Sequence, residues 1–191
     1  ILSGLVGSEM CIRDSSPEML IRREGRKVSA FPMAGSAPRT GNFSIDDATA
    51  RDLANSTKDL REHRFVVEHY RRVLEPLCET LDIPTTPEIH ETNEMIHLGT
   101  QIGGTLKDDE YSALDLALML HPTPAIGGTP TDDALGVISQ EKSPREFYSG
   151  AVGWCDSSGD GEFMVSIRCA IVELSLIHIS EPTRPERFSY A

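Results

Sequence analysis

Asp59, Glu62 and His63 stand close together in "STKDLREHRFVVEHYRRVLEPLCETL" (residues 56–81). Two acids and an imidazole are groups that exchange protons or hold cations. At 100° per residue the stretch reads as one helix with Leu60, Val67, Tyr70, Val73, Leu74, Leu77 and Leu81 on a common face. Asp59 and His63 fall in the middle of that apolar face, and Glu62 on its edge. Each also has an ordinary structural explanation. Ser56-Thr57-Lys58-Asp59 resembles a capping box, and an acid in the first turn suits the helix dipole. A histidine on an apolar face is commonly a core imidazole satisfied by one hydrogen bond, and an acid on a helix edge is commonly solvated. Periodicity alone therefore favours structural roles for these residues.

Other stretches pose the same choice. Arg168 shares a strand face with Ser166 and Ala170, while Phe163, Val165 and Ile167 alternate on the other face. Among such small neighbours its guanidinium either pairs with a core carboxylate or forks onto the carboxylate of a ligand. His97 in "EMIHLGT" is open to similar readings. "HPTPAIGGTP" (residues 121–130) combines prolines that stiffen a loop with glycines that bring backbone N–H groups near a ligand. "DSSGDG" (residues 156–161) imitates the first half of a calcium loop. The position that should supply the bidentate Glu holds Ile167, and strands flank it, so it reads as a hairpin turn.

The elements that must carry these residues follow in order. "EMLIRREGRKVSAFPM" reads as a hairpin, "AGSAPRTGN" as a loop, and residues 45–55 as a short helix before the long one. "EMIHLGTQIGGTL" (residues 94–106) reads as one strand, residues 108–120 as a helix, and residues after 130 as another helix with Thr131 as N-cap. "GAVGWCDSSGDGEFMVSIRCAIVE" is the clearest hairpin of the chain. Strands, helices, strand, helices and hairpin in this order predict an α+β fold with antiparallel sheets and helices packed outside.

The two ends carry a different signal. "LVGSEMCIRDS" (residues 5–15) can be encoded by a DNA stretch whose reverse complement translates as "LSLIHISEPTR", found at residues 174–184. Two ends that are antisense translations of one another resemble a transposase sequencing adapter read through both ends of an insert. Residues 1–15 and 174–191 are therefore expected to be adapter-derived, and residues 16–173 to be a partial domain within a longer protein. The net charge of −12 hardly depends on these ends. An acidic chain without a Lys/Arg cluster argues against nucleic acid or an anionic membrane as partner, though a small anion can still bind beside local positive groups or a metal. No apolar run approaches the ~20 residues of a membrane span. Cys78, Cys155 and Cys169 have no metal-like pairing and read as reduced thiols of a cytoplasmic protein.

Seven stretches together resemble the chorismate-utilising enzymes, most closely the isochorismate synthase branch: "SPEML", "FPMAGSAPR", "STKDLREHRFVV", "MIHLGT", "LHPTPAIGGTP", "PREFYSGAVGWCD" and "GDGEFMVSIRCA". They occur in the family's order across nearly all of residues 16–173. The resemblance implies an incomplete chorismate-binding fold of the anthranilate synthase component I type. It implies Mg²⁺-dependent conversion of chorismate to isochorismate, for siderophore or menaquinone biosynthesis, by a monomeric protein. Salicylate or anthranilate synthesis, or chorismate binding without catalysis, are the alternatives. By the same resemblance Glu18 matches the general acid that protonates the departing C4 hydroxyl, and His97 the histidine beside it. Glu62 matches a Mg²⁺ ligand, Gly35 a glycine lining the pocket, and Tyr148 with Arg168 the pair that grips the enolpyruvyl carboxylate. Ala125 in "HPTPA" matches the isochorismate synthases, where other branches place Thr nearby. "SPEMLIRREG" and "REFYSGAVGWCD" favour the siderophore type. The family's water-activating Lys lies upstream of "SPE", and a second Mg²⁺-binding Glu follows the hairpin. The chain as it stands is accordingly expected to be inactive.

Overall fold

Alternation of apolar and polar residues favours hairpins at both ends of residues 16–173, and a 3.6-residue period favours helices between them. The computed structural model describes residues 18–140 and 148–167 with their side chains, and the backbone of the strands outside those ranges. In chain order the strands β1 (Leu2–Leu5), β2 (Met10–Asp14), β3 (Met19–Glu24), β4 (Lys27–Phe31) and β5 (Met33–Pro38) precede helices α1 (Phe43–Asn55) and α2 (Thr57–Leu74). Strands β6 (Cys78–Asp82), β7 (Glu88–Glu91), β8 (Met95–Gly99) and β9 (Ile102–Leu106) follow. Helices α3 (Ala113–Leu120), α4 (Pro124–Gly127) and α5 (Thr131–Ile138) lead to β10 (Ala151–Cys155), β11 (Gly161–Val165), β12 (Cys169–Glu173) and β13 (Leu176–Ser180).

Every strand pair among the described residues is antiparallel. They form a six-stranded sheet β10-β11-β3-β4-β9-β6, a three-stranded sheet β5-β8-β7 and a four-stranded sheet β1-β2-β12-β13. The fold is α+β, as the order of elements predicts. The main core lies between the six-stranded sheet and helices α2 and α3, with Leu20, Ile21, Val66, Tyr70, Ile102 and Leu116 fully buried or nearly so. Leu20 and Ile21 are adjacent yet both buried, because the β3–β4 register shifts between Met19 and Arg22 and turns both inward. A smaller cluster of Leu53, Ile96 and Leu98 seats α1 on the three-stranded sheet.

Several boundaries differ from the sequence reading, each for a physical reason. The long helix ends at Leu74, not Leu81, because Pro76 has no N–H to continue the ladder, so Glu75, still helical at φ −57° and ψ −40°, is its cap. Residues 78–82 pair with β9 instead. The stretch read as a loop contains β5. Its β-signal is masked by small residues and by Gly35, whose φ of +90° accompanies a register shift between Met33 and Ser36. Residues 94–106 form two strands in two different sheets, broken at Thr100 and Gln101. Helix α3 starts at Ala113 because Ser112 and Asp115 form a reciprocal capping box, which outcompetes the acids at Asp108 and Asp109. The loop "HPTPAIGGTP" contains the single helical turn α4. Thr131 is the first residue of α5, with Pro130 at the cap position and no side-chain cap bond.

The β10–β11 turn is clamped from outside. Asp156 accepts from the backbone N–H groups of Ser158 and Asp160, and Asp160 accepts from Arg23 Nη1 (2.8 Å) and Gly25 N (2.8 Å). The Arg23 side chain is only 3% exposed, whereas its second acid, Asp109, is 71% exposed at 3.3 Å. Asp160→Ala is therefore expected to cost about 2 kcal/mol, by leaving a buried guanidinium short of its partner. Asp109→Ala should cost less than about 0.5 kcal/mol. Urea unfolding of both variants checks the ranking, and equal losses would overturn it.

Candidate active site

A cavity of about 920 Å³ opens where the three-stranded and six-stranded sheets meet, beside the start of α2. Its walls come from the residue before β3, from β5 and β8, from α2, from α4 with the residues after it, and from residues 148, 149 and 167. Glu18, Gly35, Glu62, His97, Ala125 and Tyr148 all line it. Arg168 lies outside the described residues.

Glu18 precedes β3 and is fixed by its own backbone, whose carbonyl accepts from Val165 N at 3.1 Å. Its side chain is 2% exposed. Burial pushes its carboxyl up from 4.5 to about 8, against a smaller opposing effect of a hydrogen bond from the Met33 backbone N–H. The group is thus a protonated acid at neutral pH. Tyr70 lies close enough that Glu18 adds to burial in raising its phenol well above the usual range. Its hydroxyl donates to Leu20 O at 3.1 Å.

His97 alternates with Ile96 and Leu98 along β8, so those two enter the α1 cluster while the imidazole turns to the cavity. It faces Ser36 directly across the β5–β8 pair, and His97 Nδ1 lies 2.7 Å from Ser36 Oγ. Next to Ser36, Gly35 also lines the cavity, and its missing side chain would point between α2 and β8. A Cβ there would lie 3.2 Å from both Asp59 Cβ and Leu98 Cδ1.

The acids of α2 separate by depth. Asp59 is 18% exposed, its backbone N–H donates to Ser56 Oγ at 3.3 Å, and its carboxylate accepts from the Ser56 hydroxyl. Ser56 N donates to Leu53 O, so the cap is one-sided. Glu62 is half exposed at the cavity's edge, and its carboxylate is 2.9 Å from Lys58 Nζ. His63 is a core imidazole, as expected, but with two bonds. Its Nδ1–H donates to Ala34 O (3.1 Å), which leaves Nε2 to accept from the Thr100 hydroxyl (2.7 Å). Burial pushes its pKa down, which keeps the ring neutral in this arrangement. No cluster of three or more His, Cys, Asp or Glu side chains able to hold a metal occurs among the described residues. A hard cation at Glu62 would complete its shell with water and ligand oxygens.

Ala125 stands at the exposed rim on α4, and Tyr148 half-buried across from it. Sequence reasoning missed Ser36, Thr100 and the His63 bonds. Ser36 and His97 are 61 residues apart, and only strand register reveals that they face each other.

Comparison with known proteins decides the family. The profile described as "Chorismate binding enzyme" matches residues 7–179. This chain belongs to the chorismate binding enzymes. It is 51% identical over 156 residues to a Mycobacterium tuberculosis protein assigned as isochorismate synthase MenF, covering 82% of this chain and 42% of that protein. It is 46% identical over 160 residues to isochorismate synthase DhbC of Bacillus subtilis, covering 83% of this chain and 40% of that one. A crystal structure from Bacillus anthracis, assigned as the 2,3-dihydroxybenzoate-specific isochorismate synthase DhbC, matches with a TM-score of 0.85 and 41% identity over 90% of this chain and 47% of its own. The chain thus spans about two fifths of the length of the sequence relatives it matches. No helix among the described residues is long and apolar enough to cross a membrane.

Gly35 gives a test of the cavity floor. Gly35→Ala meets both a positive φ and two close neighbours, and is expected to destabilise by about 1–3 kcal/mol. Gly103→Ala, where a Cβ meets open space at an ordinary φ, should be within about 0.5 kcal/mol of neutral. Chemical denaturation of the two variants compares them, and a neutral Gly35→Ala would contradict the packed floor.

Proposed function

We propose that the whole protein to which this chain belongs converts chorismate to isochorismate with Mg²⁺, and that the product serves siderophore or menaquinone assembly. The observation that carries the reading is Glu18, a carboxyl held protonated at neutral pH by burial, on the wall of a cavity that also holds His97 and Glu62. On this reading the Glu18 proton goes to the C4 hydroxyl, which departs as water. A second water forms the new C2–O bond as the two ring double bonds each move one position, and its proton passes to a base upstream of this chain. His97, steadied by Ser36, lies beside the leaving hydroxyl, and Tyr148 with Arg168 holds the enolpyruvyl carboxylate. Gly35 lines the pocket, and Ala125 leaves the rim without a hydroxyl that would reorganise it.

The residues present fit Mg²⁺ shared between protein and substrate, since that ion prefers carboxylate oxygen and keeps part of its water. Glu62, half exposed at the cavity's edge, would hold it, and Asp59 one turn earlier would support the ligand or cap the helix alone. When bound, the ion offsets the charge of the ring carboxylate, which allows an acidic protein to accept an anionic substrate. The same reading assigns residues 1–15 and 174–191 to translated adapter and residues 16–173 to part of the enzyme. It expects a monomer acting in the cytoplasm, without nucleic acid or membrane partners.

Glu18 tests the reading. In the full-length protein Glu18→Gln keeps the shape of the protonated acid but cannot give up its proton, so turnover should fall ~10²–10⁴-fold while chorismate still binds. Wild-type turnover should decline as pH rises through about 8, where Glu18 loses its proton. Stability follows the same sign. The folded carboxyl lies above its unfolded value of 4.5, so its contribution is full below that pH and is lost as pH rises through about 8. Glu18→Gln should remove that slope. Undiminished turnover in the Gln variant would exclude Glu18 as the acid.

A pair of variants separates the two α2 acids. Glu62→Gln should weaken Mg²⁺ binding measured by calorimetry on the full-length protein, because it keeps shape but loses the anionic oxygen. Asp59→Asn should mainly lower stability, by about 1 kcal/mol. If Asp59→Asn shifts the Mg²⁺ affinity and Glu62→Gln does not, the two roles are reversed.

A further inference from the structure

We propose that His121 is a positioning residue that fixes Tyr148 against the cavity by clamping the turn that carries it to the loop that carries Ala125. The inference rests on the chorismate-converting reading for its effect on substrate, but the clamp itself rests on geometry. His121 follows α3, and its backbone N–H donates to Ala117 O, which seats the residue on the rigid end of that helix. Its ring reaches across to the chain 28 residues later, where Nε2–H donates to Ser149 O at 2.7 Å. Ser149 is the one non-glycine residue among the described residues with a positive φ, +66°. A serine holds that conformation only where its surroundings over-determine it.

Among the described residues, hydrogen bonds hold Ser149 from two sides. On one side Ser149 N donates to Ser166 O (2.7 Å) and Ser166 N donates to Gly150 O (2.8 Å), which ties the turn to the end of β11. On the other side stands His121. Tyr148, Ser149, Pro124 and Ala125 all line the cavity, whereas His121 does not. It therefore acts between two walls of the cavity. Without its ring N–H, Ser149 loses one restraint on its left-handed conformation, and the backbone that sets Tyr148, one residue earlier, against the Ala125 rim loosens. Binding of the substrate group that Tyr148 contacts should suffer more than the bond-making step, which takes place at the buried Glu18 and His97 end.

The test uses the full-length protein and three variants. His121→Leu keeps bulk and removes the donor, and His121→Gln places an amide N–H near the position of Nε2–H. Tyr148→Phe removes the phenolic hydroxyl. His121→Leu is expected to raise KM for chorismate roughly tenfold, the size of one lost hydrogen bond, with kcat within about threefold of the parent. His121→Gln should recover most of that loss. His121→Leu added to Tyr148→Phe should cost much less than the two changes separately, since both act through one contact. Hydrogen exchange should quicken at residues 148–150 in the Leu variant and return in the Gln variant. An unchanged KM in His121→Leu alongside a parent that converts chorismate would overturn the proposal, as would equal losses of kcat and KM in the Leu and Gln variants. If the parent does not convert chorismate, the reading of the function fails and the exchange data decide the clamp, with unchanged exchange at residues 148–150 overturning it.

Discussion

The crease between two sheets, closed by one neutral imidazole, is the constraint on which the rest of this site depends. The chain leaves the six-stranded sheet for the three-stranded one at Pro32, between β4 and β5, and returns at Thr100 and Gln101, between β8 and β9. Pro32 has no N–H to give to a ladder, while its carbonyl accepts from Thr100 N (3.2 Å) and joins the two breaks. His63 then fills the gap from α2 with a donor bond to Ala34 O and an acceptor bond from Thr100. Protonation would turn Nε2 into a donor and cost the second bond its present sense, which the burial of the ring opposes. Gly35 is next to Ala34, His97 is three residues before Thr100, and Glu62 precedes His63. Three walls of the cavity are therefore set by one side chain.

The second wall system depends on β3. Its register shift buries both Leu20 and Ile21, and this draws the strand's first residues down into the core under Tyr70. Glu18 is carried with them into a position where its carboxyl meets apolar side chains and a phenol. A carboxyl so placed keeps its proton because the charged form would lose most of its hydration. The packing that stabilises the fold and the acidity of the site share one cause: the same desolvation does both.

What was legible in the sequence divides by physics. Hairpins read correctly where side chains alternate, as in β10–β11, because the pleat forces period two on any half-buried pair. Misreadings cluster where one residue breaks a pattern that continues on both sides. Leu77 and Leu81 keep the helical period of α2 beyond Pro76, and "EMIHLGTQIGGTL" keeps its alternation through the crease. β5 was hidden because "AGSAP" has turn composition, and its strand identity comes from its partner β8. The candidate residues divide in a similar way. Residue type singled out His97, Glu62 and Arg168, but it favoured an ordinary role for Glu62 and left the choice open for His97 and Arg168. Gly35 and Ala125 offer no side-chain chemistry, so they entered only through resemblance to a family. Ser36 and His121 act through partners 61 and 28 residues away, and no local pattern encodes such pairings.

The cavity also sorts its polar groups by depth, and this accounts for how one acidic chain can serve opposite demands. At the inner end Glu18 and His97 are 2% and 5% exposed, next to Met33 and Val66. At the edge the Glu62 side chain is 51% exposed and its carboxylate meets the Lys58 ammonium. On the proposed reading, a carboxyl that must hold a proton needs the dry end, and a carboxylate that must receive a hydrated cation needs the wet one. Both are glutamates, so the chain distinguishes them by the element that carries each. One precedes a central strand roofed by α2 and α3, and the other rides the first turns of a helix whose outer face is solvent. On the proposed reading, the order of the elements along the chain, a buried strand before an amphipathic helix, is what gives the two carboxyl groups their different surroundings.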